Sequence, residues 1–185
     1  MASYLKHFLT VAKHRRLVFS HCRRAGIPLQ GLLHDLSKYS FAEFIPGGKY
    51  YTGTKSPNEG ERRDIGYSLA WMHHKGRNRH HFEYWTDYLP GQGLVPVPMP
   101  VKYTVEMFCD RVAASKVYMQ ERYTDSSPLE YYEARRDKRR IHEDTALMLE
   151  KLLVMLKEKG EDETFSYIRH EIIKKRPDKK ERRSV

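Results

Sequence analysis

Cysteine is nearly absent from this chain: there are two in 185 residues, Cys22 and Cys109. That excludes a disulfide-dense secreted scaffold and a structural zinc site built on paired thiolates. Both cysteines fall in apolar stretches with helical spacing. They read as buried free thiols in a reducing cytoplasm, with one disulfide between them as the other option. Long apolar runs are missing too. None approaches the roughly 20 residues that a membrane-spanning helix needs. The N-terminus is basic but lacks the apolar core and small-residue cleavage site of a signal peptide. Strand-like alternation is scarce, no internal repeat is visible and no nucleic-acid-binding motif is present. The expectation is a cytoplasmic, mainly helical protein.

Positive charge is abundant. The formal net charge is +10, with 34 Lys and Arg against 24 Asp and Glu. This favours anionic partners such as nucleotides, phosphate esters or nucleic acid. Part of the excess is local, in the final segment KKRPDKKERRSV, which reads as a frayed solubilising tail. Residues 1–173 are expected to form a single domain and 174–185 the basic, disordered tail.

Helical periodicity runs through most of the chain. Residues 3–24 predict a first helix whose apolar arc includes Tyr4, Phe8, Val11, Val18 and Cys22. His7, His14 and His21 recur every seven residues along one flank of that arc, nearly two turns apart. His7 and His21 read as surface residues or supports to a site. Gly26 ends this helix and Pro28 opens the next, expected to run through Leu32, Leu33, His34 and Asp35 with the two leucines facing the core. Residues 45–60 and 89–100, rich in Gly and Pro, read as loops. Further helices are expected over 61–74, 101–122, 128–137, 142–160 and 162–174.

Histidine carries the chemistry. His34-Asp35 places an imidazole beside a carboxylate whose two oxygens allow it to bridge two metal ions. Lys38 follows three residues later, within reach of a phosphate held there. His73, His74, His80 and His81 cluster in one short segment. Asp110 is an isolated acid in an apolar helix, with Ala113, Ala114 and Val117 on its face. Histidine and carboxylate with little cysteine suit one or two divalent transition-metal ions: manganese, iron, cobalt or zinc. Adjacent helical side chains diverge by about 100°, so the two histidines of an adjacent pair are not expected to bind one metal together. Either each binds one of two metals or one orients the other, with at least one of each pair a ligand. Glu43 and Glu83 read equally as supporting carboxylates or surface acids.

The pattern His14, His34-Asp35, a later histidine cluster and Asp110 resembles the HD superfamily of metal-dependent phosphohydrolases, including the lysine of the His-Asp-x-x-Lys variant at Lys38. The blocks from His14 to Val18, Gly31 to Phe44, Ala70 to Trp85 and Met99 to Ser115 are similar to a small bacterial and phage family of unknown function. Its most specific string is HHxxxNxHHxEYW at residues 73–85. The resemblance implies an all-α, HD-domain-like helical bundle. It implies metal ligands among His14, His34, Asp35, His73, His74, His80, His81 and Asp110, with Asp35 and Lys38 catalytic. Lys38, Arg77, Asn78 and Arg79 are the candidates to bind a small anionic phosphate substrate, a nucleotide or another ester. Two alternatives stand beside hydrolysis. One is a di-iron oxygenase on the same fold. The other is a nucleic-acid-binding or regulatory protein whose metal is structural, which the charge permits but no motif supports.

Overall fold

The computed structural model describes residues 2–136 and 139–174. The predicted basic tail lies, from Lys175 onward, outside the described residues. The fold is an all-α bundle with one small hairpin. Its helices are α1 (Ala2–Ala25), α2 (Pro28–Leu33), α3 (Phe41–Lys49), α4 (Pro57–Ile65), α5 (Leu69–Arg77), α6 (Val101–Met119), α7 (Ser127–Glu133) and α8 (Glu143–Tyr167). A π-helical turn, Ile168–Ile173, extends α8. No described helix is long and apolar enough to cross a membrane.

The core lies where α1, α6 and α8 meet. Val18, Cys22 and Ala25 pack with Val105, Phe108, Cys109 and Val112, and with Leu149, Leu152, Leu153, Leu156, Phe165 and Ile168. Each buried leucine contributes about 2 kcal/mol from apolar area alone. Both cysteines are free thiols fully inside this core. The long helices α1 and α6 therefore hold His14 and Asp110 on a rigid base.

Several local expectations change. The helix expected through His34 and Asp35 stops at Leu33, and Leu32 and Leu33 are exposed, not core-facing. Asp35 adopts a left-handed backbone conformation, φ 52°, and a 3₁₀ turn, Leu36–Tyr39, follows. Aspartate tolerates this region better than most residues. The segment expected as a loop over 45–60 is helical at both ends, because Gly47 and Gly48 let α3 settle on α1. A Cβ at Gly48 would come within 2.0 Å of the Tyr4 ring. The helix expected over 61–74 is two helices, α4 and α5, separated at Gly66, φ 85°. The loop expected over 89–100 contains half of an antiparallel hairpin, β1 (Thr86–Leu89) against β2 (Gly93–Pro96). The two helices expected after His142 are present within α8, parted at Gly160, where the backbone leaves helical geometry (φ 75°, ψ 178°).

Candidate metal centre

The backbone break after Leu33 is what aims the His-Asp pair. Gly31 presses α2 onto α1, where a Cβ would lie 2.7 Å from Cys22 Cβ. Arg15, the neighbour of His14, donates to the Leu32 carbonyl (3.1 Å) and the His34 carbonyl (2.8 Å), satisfying the end of α2. The αL turn at Asp35 then brings both side chains inward, where they are almost completely buried.

Four imidazoles converge on the Asp35 carboxylate, two at each oxygen. His34 Nε2 is 3.3 Å and His14 Nε2 3.7 Å from Oδ2. His74 Nε2 is 3.3 Å and His80 Nε2 3.5 Å from Oδ1. Asp110 completes the first side, with Oδ1 3.0 Å from His14 Nε2 and 3.7 Å from His34 Nε2. His81 completes the second, its ring centroid 4.1 Å from that of His80 and 4.8 Å from that of His74. The two sides form compact ligand groups: His14, His34 and Asp110, and Asp35, His74, His80 and His81, each with donor atoms within 4.8 Å of one another.

The donors fit a metal in type, spacing and readiness. Ligands bound to one ion at about 2.1 Å sit roughly 3.0–3.4 Å apart, near the separations above. Asp35 Oδ1, His80 Nε2 and His81 Nε2 are buried without a hydrogen-bond partner among the described residues. Such orphaned atoms gathered in one cluster fit the donor set of a metal ion. The remote nitrogens are already committed. His34 Nδ1 donates to Glu106 Oε1 at 2.9 Å and His80 Nδ1 faces the same oxygen at 3.2 Å. His74 Nδ1 donates to Glu43 Oε2 at 2.7 Å. A carboxylate only accepts, so these bonds fix the tautomer that leaves each Nε2 lone pair facing Asp35.

The charges are tightly coupled. Burial alone would raise the Asp35 carboxyl, but His34, Lys38 and His74 outweigh it and hold it well below the ordinary range. Burial would likewise lower His34, but Asp35, Asp110 and Glu106 outweigh it and push it well above its usual value. A metal ion entering there displaces that proton. Burial, together with His80 and His74, keeps His81 neutral. Lys38 Nζ lies 2.7 Å from Asp35 Oδ2. With Trp71, Ala114, Val117 and Tyr118 it lines a cavity of about 220 Å³ that opens onto Asp35 and Asp110.

Other predicted residues lie elsewhere. His73, a predicted ligand, stands outside both groups; its Nδ1 donates to Glu43 Oε1 at 2.7 Å, on the far side of that carboxylate from His74. The helical divergence of adjacent residues therefore separates His73 from His74, as expected. It does not separate His80 from His81, because those two lie in a turn after α5 has ended. Arg77 and Arg79, predicted substrate residues, are exposed and do not line the cavity; Arg79 reaches Tyr103 and the Tyr84 ring. Asn78 is a buried strut, donating to Ser37 Oγ and the His74 carbonyl at 2.8 Å each. His7 and His21 are buried, not on the surface. Glu106 escaped sequence reading, although its i,i+4 spacing from Asp110 places both on one face of α6.

No curated protein and no solved structure matches the chain. The profile of a family of unknown function, DUF5662, matches residues 3–155, which takes in both ligand groups, Lys38 and the supporting carboxylates, and the chain belongs to that family.

Proposed function

We propose that the protein is a metal-dependent phosphohydrolase acting on a small phosphate ester, with two divalent metal ions sharing Asp35. The observation that carries this reading is the division of four imidazoles between the two oxygens of one buried carboxylate. His14, His34, Asp35 and Asp110 would hold one ion, and Asp35, His74, His80 and His81 the other. When bound, such ions act as Lewis acids and bring the pKa of a water on them to about 7.

The chain's own residues supply the rest. Glu106 and Glu43 hold the His34, His80 and His74 rings by their Nδ1 protons, which keeps the Nε2 lone pairs on target. Lys38 is the one lysine or arginine lining the cavity among the described residues. Its ammonium offsets charge building on the phosphoryl oxygens. Trp71, Ala114 and Val117 give the cavity lining an apolar part.

The test is anaerobic purification with elemental analysis, then phosphate release from a panel of monoesters with manganese, cobalt, zinc or iron added. The expected result is close to two metal equivalents per chain and turnover without oxygen. Turnover that requires iron and consumes oxygen would overturn hydrolysis in favour of oxidation. A full complement of metal with no effect of Lys38→Ala on phosphate release would remove Lys38 from the substrate site.

A further inference from the structure

The cavity in front of Asp35 and Lys38 continues along α1 to His7, seven residues before His14. His7 is 7% exposed, yet its ring nitrogens form no hydrogen bond with any described residue. The ring is wedged beside Phe44 and Tyr51, with centroids 5.5 and 5.8 Å away. Its Nε2 faces Gly47, where a Cβ would come within 2.3 Å. Glycine there keeps a side chain from pressing on that nitrogen. Burial, reinforced by Lys38, pushes this imidazole down to about 4, so at neutral pH it offers one donor and one acceptor. The described residues use neither, and neither ring nitrogen is fully enclosed, so both are open to water or a ligand.

His21 shows the contrast. It occupies the same stripe of α1, but its Nδ1 lies 3.3 Å from the Cys109 carbonyl and its ring stacks on Phe165. That is a satisfied core histidine; His7 is not. The surroundings of His7 point the same way. Thr10 Oγ1 and the Tyr51 hydroxyl are 2.7 Å apart beside it. Ser56, Asn58 and Tyr118 add neutral polar groups to the lining, against a single ammonium at Lys38. The volume, about 220 Å³, is below the roughly 300–1,000 Å³ of pockets for drug-sized ligands.

We infer that His7 is a substrate-binding residue and that the cavity takes a small hydroxylated monophosphate, its phosphoryl group against Lys38 and a hydroxyl on the His7 imidazole. The inference rests on the phosphohydrolase reading for the phosphoryl end alone. Neutral donors and acceptors suit hydroxyls, one cation suits one phosphoryl group, and the volume disfavours a nucleotide.

The test is calorimetric binding, without oxygen, to the metal-loaded protein. The probes are 3,4-dihydroxybutylphosphonate and butylphosphonate, which differ only in the hydroxyls and carry a C–P bond that hydrolysis leaves intact. The wild type is expected to bind the dihydroxy compound at least about tenfold more tightly. His7→Phe should bring the two affinities together while metal content and butylphosphonate binding stay unchanged. Gly47→Ala, which keeps the imidazole but displaces it, should narrow the ratio in the same direction. Equal affinities in the wild type, no binding of either probe, a ratio that survives His7→Phe, or tighter binding of adenosine 5′-monophosphate would each overturn the inference. Release of phosphate from glycerol 1-phosphate is measured in parallel. If that release is absent while the His7-dependent preference is present, hydrolysis fails and the binding role of His7 stands.

Discussion

The two ligand groups around Asp35 are built differently. His14 and Asp110 stand on α1 and α6, long helices locked by the core, and His34 is held by Arg15 and Glu106. His74 sits on a nine-residue helix, and His80 and His81 on the turn after it. That turn is fixed by polar contacts: Asn78 to Ser37 and to the His74 carbonyl, and Trp85 Nε1 to the Arg79 carbonyl at 2.8 Å. The first group is preorganised by packing and the second by hydrogen bonds. Hydrogen-bonded turns open locally at lower free energy than core helices, so the second group is expected to hold its ion more weakly.

The largest effect should come from the one residue both groups share. Asp35→Asn keeps a side chain that tolerates the αL backbone but removes the bridging charge. Metal analysis should find both ions depleted by more than about tenfold, with phosphate release abolished. Retention of one full equivalent would show that the groups do not share Asp35. Next is Lys38→Ala. Metal content should hold while kcat on monoesters falls by roughly 10²–10³; loss of metal instead would make Lys38 a support for Asp35 and not a phosphate contact.

The supporting carboxylates separate the groups. Glu106 touches His34 and His80, one ring from each group, whereas Glu43 reaches His74 and His73, of which His74 alone belongs to a ligand group. Titration with manganese should show Glu43→Gln weakening one of two sites by about 10- to 100-fold and Glu106→Gln weakening both. Asn78→Ala should resemble the milder of these, at the weaker site alone. If Glu43→Gln weakens both sites equally, the two groups are one cooperative unit and the contrast drawn above fails.

How much of this the sequence discloses follows from the same contrast. The packed group is legible in part: α1, expected over 3–24, spans 2–25, and His14 and Asp110 stand on long helices that amphipathic periodicity and an isolated acid in an apolar stretch disclose. His34 and Asp35, by contrast, reach them from a backbone break after α2 that no periodicity signals. The turn-borne group was legible only as a cluster. Divergence by about 100° separates His73 from His74 but says nothing of His80 and His81, where the helix has stopped. Arg77 and Arg79 look like phosphate contacts by proximity in sequence, yet both are exposed, one at the end of α5 and one on the turn after it, and neither lines the cavity. Pro46, Gly47 and Gly48 read as loop because their intrinsic propensity is poor; the close approach of α3 to Tyr4 and His7 overrides it. Glu106 looks like any helix-surface acid until the Nδ1 donors that need it are in place.

The smallest effect at the site is expected from His21, and it serves as the control on α1. Burial, with help from Lys116 and Arg24 and against the Cys109 carbonyl and Glu161, lowers this imidazole to about 4. Its folded value is below the unfolded one, near 6.5. The unfolded chain therefore binds the extra proton between those two values, and stability rises with pH across that window. Above pH 6.5 the neutral ring sits in the core without penalty; as pH falls toward 4 the contribution is lost. From pH 7 to pH 5 the loss amounts to about 2 kcal/mol. Other groups titrate in the same range, so the informative quantity is the difference between wild type and His21→Gln, which cannot take up the proton. Urea denaturation of both metal-free proteins at the two pH values should show the wild type losing about 2 kcal/mol more than the variant, with manganese affinity at pH 7 equal in the two. An equal acid loss would mean that His21 does not stay neutral when folded. A drop in manganese affinity would mean that the stripe on α1 acts as one unit, and that the separation of its core end from its metal end is false.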